Sequence, residues 1–206
     1  MTAVVHQVPG GGREQEPPEV IARNLRVAAH LWSSATAFFF VAFLFAYFYL
    51  RALDQHHLWH PHHVKAPVAT GTLIAVAVAA SGIAAVLAAR RLGAGDESGW
   101  RMLGLGALVL GLVAVVLQIV EWSSLGFGPT DGGYASVFLG WTGLYLLFLV
   151  ASLYWLETLL ATSFRHRGGA GATRATQVTP GADAFAFYWA VLAGIGVVTW
   201  IILYIL

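Results

Sequence analysis

MLGLGALVLGLVAVVLQIVE, residues 102–121, carries no charged side chain until its final Glu. At a rise of 1.5 Å per residue these 20 residues form a helix about 30 Å long, which matches the hydrocarbon thickness of a bilayer. A segment of this kind has no wet face, so it belongs in a membrane. Four more stretches read the same way: Ala28–Tyr49, Pro67–Ala89, Tyr134–Glu157 and Ala184–Leu206. Across these four the only Asp, Glu, Lys or Arg is Glu157, again at a segment end. The expected fold class is therefore all-α, a polytopic membrane protein with five transmembrane helices.

Composition agrees. Of 206 residues, 58% are hydrophobic and 10% charged, against roughly 25% charged in a soluble domain. The net charge of +1 leaves no concentrated basic face, so nucleic acid is not an expected partner. The chain has no Cys, which excludes disulfides, iron–sulfur clusters and thiolate zinc sites. All but one of its basic residues are Arg, the exception being Lys65, a bias that hints at a GC-rich bacterial genome. Two regions are then expected: a short disordered cytoplasmic tail over 1–27 and a transmembrane domain over 28–206. The connections 122–133 and 158–183, rich in Gly with Pro, Asp or Arg, read as loops, the second of them mobile. Basic residues gather in cytoplasmic loops. Nine Arg between Arg13 and Arg174 fall on the N-terminal side, against Arg51 and Lys65 opposite, so the N-terminus is expected in the cytoplasm and the C-terminus outside.

The side-chain chemistry is sparse. Haem or copper inside a membrane is held by side chains projecting from helices, usually His, and His30 is the only His within a span, in its first turn. Proton relays and ion-coupled transport place acids or bases near the midplane, where this chain has none. No catalytic residue and no redox cofactor are expected on the chain itself. One cluster stands out in the first outer loop, His56, His57, His60, His62 and His63, weak candidates for metal binding around the stiff Pro61. They carry an alternative reading, a free-standing membrane metal-binding protein. In the second span Gly71, Ala75 and Ala79 recur every four residues, a pattern that lets helices approach closely.

Several strings occur in an order that resembles subunit III of the haem–copper respiratory oxidases, in its five-helix bacterial form. In the first span Trp32-Ser33-Ser34, Phe39-Phe40 and Tyr47-Phe48 with Arg51-Ala52 resemble that family's Ser-Glu-x-x-Phe-Phe and Tyr-Phe segment. Gln118-Ile119-Val120-Glu121-Trp122 resembles its Gln-x-x-Glu-Tyr/Trp signature. Tyr134-Ala135-Ser136-Val137-Phe138, then Trp141-Thr142-Gly143-Leu144, resemble Tyr-Gly-Ser-x-Phe and Thr-Gly-Phe, and Phe187-Tyr188-Trp189 resembles the start of Tyr-Tyr-Trp-His. Departures are as plain. The family's first-helix Glu falls on Ala35 or Thr36, its paired His residues on Tyr145 and Phe148, and its last-helix His and Asp on Ala190 and Ala193.

The resemblance implies a non-catalytic accessory subunit of a terminal respiratory oxidase in a bacterial inner membrane, within a complex that reduces O₂ to water and translocates protons. It implies catalytic subunit I and subunit II as partners, with haems and copper on those neighbours. Electrons would come from cytochrome c or quinol, and phospholipid would be held by this chain. An accessory subunit of a nitric oxide reductase is a second reading of the same strings. The lipid or structural residues expected are Glu121, Gln118, Arg51, Tyr145, Phe148 and Trp189. Gln118 and Glu121, three apart, share a helical face. Because a carboxylate at a helix C-terminus opposes the dipole, Glu121 needs a partner, and Arg51 on the same outer side is the expected one. Tyr145 and Phe148 are expected to pack apolar neighbours or touch an acyl chain, and Glu157 to sit exposed near Arg165.

Overall fold

The computed structural model describes residues 17–54, 59, 61, 64–165 and 171–206, with side chains described at all of these except 18, 165 and 171–177. Five helices follow one another: α1 (Pro18–Ala52), α2 (Val68–Gly93), α3 (Glu97–Ser124), α4 (Gly133–Arg165) and α5 (Gly171–Trp200), the last running into a π-helical turn, Ile201–Ile205. There is no strand among the described residues, and all five helices are long and apolar enough to cross a membrane.

The helices outrun the apolar segments that announce them. Helix α1 has 35 residues, about 52 Å at 1.5 Å each, and residues 18–27, expected as tail, are its first turns. Residues 1–16 lie outside the described part. A proline at N1 and Glu19 in the first turn suit a helix start, because that turn has no N–H bonds to lose and its dipole attracts negative charge. The expected loop 158–183 is also mostly helix, α4 continuing to Arg165 and α5 beginning at Gly171, with Pro180 inside it. Apolarity marks only the part of a helix that needs oil. Backbone hydrogen bonding continues beyond it, into water.

Two of the connections are set by local chemistry. Between α2 and α3, Gly95 takes φ +82°, a left-handed value that suits glycine, and the next residue, Asp96, accepts a hydrogen bond from the Gly99 N–H at 2.8 Å to cap α3. The connection between α3 and α4 is held by Asp131, which accepts from the Gly128 N–H at 2.7 Å.

Helix α2 lies against α3 and α5, while α1 packs on α4 and α5, and α4 touches α3. On α1 the buried residues Ala29, Ser33, Thr36, Phe40 and Tyr47 recur at three, four or seven, forming one stripe toward the bundle. The aromatics around the rest of α1 face outward, Phe38 being 75% and Phe45 69% exposed. In lipid such exposure costs nothing, since hydrocarbon is as apolar as the side chains. What holds the bundle is fit. Glycines of α3 admit leucines of α4, Gly104 beneath Leu160 and Gly111 beneath Leu153, so any Cβ there would collide with them. Gly82 of α2 faces Ala193 of α5 so closely that an added Cβ would lie 2.8 Å from its methyl group.

Candidate functional site

The C-terminal end of α3 holds a buried carboxylate. Glu121 is fully buried and Gln118, one turn earlier, is 3% exposed. Gln118 Nε2 donates to Glu121 Oε2 at 2.6 Å, the i, i+3 contact that their spacing implies. The second partner is Tyr204, whose hydroxyl reaches Oε1 at 3.0 Å and Oε2 at 2.8 Å. Tyr204 sits on the π-helical turn, where the wider winding rotates its ring onto Gly71 of α2 and edge-on to Phe138 of α4, centroids 5.4 Å apart. A Cβ at Gly71 would overlap that ring, so the small residue makes the room. The Tyr134 hydroxyl of α4 donates to the Leu203 carbonyl and pins the same turn. Four helices therefore converge on one acid.

The expected Arg51–Glu121 ion pair does not form. Helix α1 packs on α4 and α5, and the tyrosine from the end of α5 occupies the position beside the carboxylate. Arg51 instead lies 6.0 Å from the Tyr47 ring, on the rim of a recess of about 440 Å³ that Trp59, Lys65, Tyr134 and Tyr204 also line. The ion pairs among the described residues are at the opposite end of the bundle. There Arg101 meets Glu97 at 2.9 Å and also donates to Ser163 Oγ at 3.1 Å and to the Ser163 carbonyl at 2.8 Å, tying α3 to α4.

The other expected residues fall inside the bundle. Tyr145 is buried and donates its hydroxyl proton to the Leu192 carbonyl of α5 at 3.0 Å. Phe148 is half-buried, and both rings meet Phe40 of α1, at 5.8 and 5.9 Å between centroids. Both rings thus make the packing contact expected for this pair. Trp189 donates from Nε1 to Ser81 Oγ at 3.0 Å, and Ser81 in turn donates to the Ala107 carbonyl at 2.7 Å, linking α5, α2 and α3. Glu157 is exposed. His56, His57, His60, His62 and His63 lie outside the described residues. Among those described, no three His, Asp or Glu side chains come together as a metal site.

A set of bonds between helices gives no signal in the sequence. Trp122 donates to Thr142 at 3.1 Å, Trp141 to Thr199 at 2.9 Å and Trp200 to Thr72 at 3.1 Å, and each hydroxyl passes its own proton to a carbonyl four residues back. With Ser81 this joins α3 to α4, α4 to α5 and α5 to α2 through indole and hydroxyl pairs. Only the Gln118, Glu121 and Trp122 string could have flagged part of it, all three side chains being hydrogen-bonded.

The model of the family described as Cytochrome c oxidase subunit III matches residues 14–206, nearly the whole chain. The chain belongs to the cytochrome c oxidase subunit III family. It is similar to cytochrome c oxidase subunit 3 of Rattus norvegicus and of Mus musculus, in each case 26% identical over 198 residues, 90% of this chain and 69% of the relative. The corresponding protein of Didelphis virginiana is 28% identical over 153 residues, covering 71% of this chain and 54% of that protein. This subunit III family member is thus a divergent one and, with its five apolar helices, a multi-pass membrane protein. Two of the positions where the resemblance breaks are packing surface, Ala193 lying against Gly82 and Thr36 buried within the α1 stripe, whereas Ala35 and Ala190 are exposed.

Proposed function

We propose that this chain is the non-catalytic subunit III of a terminal oxidase in a bacterial inner membrane, buttressing catalytic subunit I while haems and copper reside on the neighbouring subunits. The observation that carries the reading is the family match over residues 14–206, supported by the intact Gln118–Glu121 pair at the end of α3. A bundle locked by Trp–hydroxyl bonds and tight glycine contacts suits a buttress, since such contacts do not shift during turnover. The complex it serves reduces O₂ to water with electrons from cytochrome c or quinol and translocates protons. Its N-terminus faces the cytoplasm, on the side where most Arg residues lie.

Lipid holding is part of the same proposal. Between α1 and α5 lies a recess of about 400 Å³, with Arg26, His30 and Asp183 beside apolar walls, and the His30 ring stacks on Phe187 at 4.2 Å. Charged groups over an apolar slot suit a phospholipid headgroup above its acyl chain.

The test is isolation of the tagged full chain in mild detergent. Expected are co-purifying oxidase subunits and a haem spectrum that follows them; recovery of the chain alone, without any haem protein, would refute the assignment.

A further inference from the structure

Beside Gln118 the bundle holds a partly open cavity of about 20 Å³, counted as the space open to the centre of a water molecule. A buried water requires at least about 10–15 Å³ on this measure and two to four polar partners. The space suits one water. The wall on the α2 side is apolar, formed by Ile74, Ala75 and Val78, while α3, α4 and α5 contribute Gln118, Thr142, Tyr145 and Thr199. These four are buried, at 5% exposure or less.

The bonds these groups already make define what the cavity accepts. Thr142 gives its proton to the Phe138 carbonyl, Tyr145 to Leu192 and Thr199 to Ile195. Each hydroxyl has thus committed its one donor and retains an oxygen lone pair. Gln118 donates from Nε2 to Glu121 and also meets the Tyr204 hydroxyl, while its Oε1 receives no hydrogen bond from any described residue. The lining therefore offers mainly acceptors. Water, with two donors and room to accept, has the complementary set; an apolar guest would leave the Gln118 carbonyl unsatisfied in low dielectric, which is costly.

We propose that this cavity binds one ordered water, bridging the Gln118 side-chain amide on α3 to the Tyr145 hydroxyl oxygen on α4. With it, a continuous line runs from Tyr204 and Glu121 through Gln118 and the water to Tyr145 and the Leu192 carbonyl. The buried acid at the C-terminal end of α3 is then joined to the α4–α5 contact deep in the bundle.

Cryo-electron microscopy of the full chain with its co-purifying subunits, at about 2 Å, tests the proposal. A single isolated peak is expected within hydrogen-bonding distance of the Gln118 amide and Tyr145 Oη. In Tyr145→Phe that peak is expected to vanish or to leave the Gln118 amide. A dry cavity in a wild-type map that resolves other enclosed waters would overturn the site, and this holds even if the variant fails to assemble. A peak unmoved in Tyr145→Phe would overturn the bridge.

Discussion

Glu121 shows how a membrane bundle accommodates a buried acid without a cation. Its oxygens receive Gln118 Nε2 and the Tyr204 hydroxyl, and the first backbone carbonyl left over at the helix end, its own, accepts from Ser124 Oγ at 2.8 Å. Two side-chain donors replace the salt bridge that Arg51 was expected to supply. Tyr204→Phe removes one donor while preserving the ring that fills the space over Gly71. The expected loss is about 1–2 kcal/mol of unfolding free energy, measured by denaturant titration in detergent, because a hydrogen bond to a carboxylate is stronger than a neutral one but bonds within bundles in lipid run weaker than in soluble cores. Arg51→Ala, by contrast, should change this stability by no more than about 0.5 kcal/mol, the usual range for a surface substitution. If the two variants ranked the other way, the assignment of Glu121's partner would be wrong.

At the scale of elements, the pairing of α2 with α3 and α5 depends on small residues backed by hydroxyls. Ser81 is the clearest case: 0% exposed, it receives from Trp189 of α5 and donates to the Ala107 carbonyl of α3. One oxygen connects three helices. Ser81→Ala should cost about 1–2 kcal/mol, since it breaks both bonds and strands the indole N–H in a dry interface. Ala79→Ser, half-buried on the same helix, should cost less than half as much in the same titration. This network was illegible in the sequence for a physical reason. Periodicity says which face of a helix is apolar, and α2 is apolar nearly all round; which hydroxyl meets which indole depends on helix rotation and depth, and these are set by packing between segments far apart in the chain. The small-residue pattern at Gly71, Ala75 and Ala79 was partly legible because close approach is a property of one helix surface: the first two are buried, Ala79 half-buried.

Across the whole molecule, topology is the property with the most direct test. The chain has no Cys, so single cysteines can be introduced without background. Ser98 and Thr130 are both exposed, just inside the start of α3 and just beyond its far end. With the N-terminus in the cytoplasm, a membrane-impermeant maleimide added to intact cells should label Thr130→Cys and spare Ser98→Cys until the membrane is opened. The reverse pattern would invert the proposed orientation.

Sequence by itself determined that this protein lives in a membrane, how many times it crosses, and which family it resembles. These follow from solvation along a single segment and from short strings read in order: an ion-free run of about 20 residues needs oil regardless of its neighbours. Where each helix stops was decided by caps and backbone bonding beyond the oil, as at Pro18 and Asp96. Tertiary structure decided the partner of Glu121, because the choice between Arg51 and Tyr204 rests on which helix lies beside α3. No local pattern in α1 or α5 encodes that adjacency; the π-helical turn that carries Tyr204 rests on Gly71 of α2 and on Phe138 and Tyr134 of α4, surfaces that only the assembled bundle brings together.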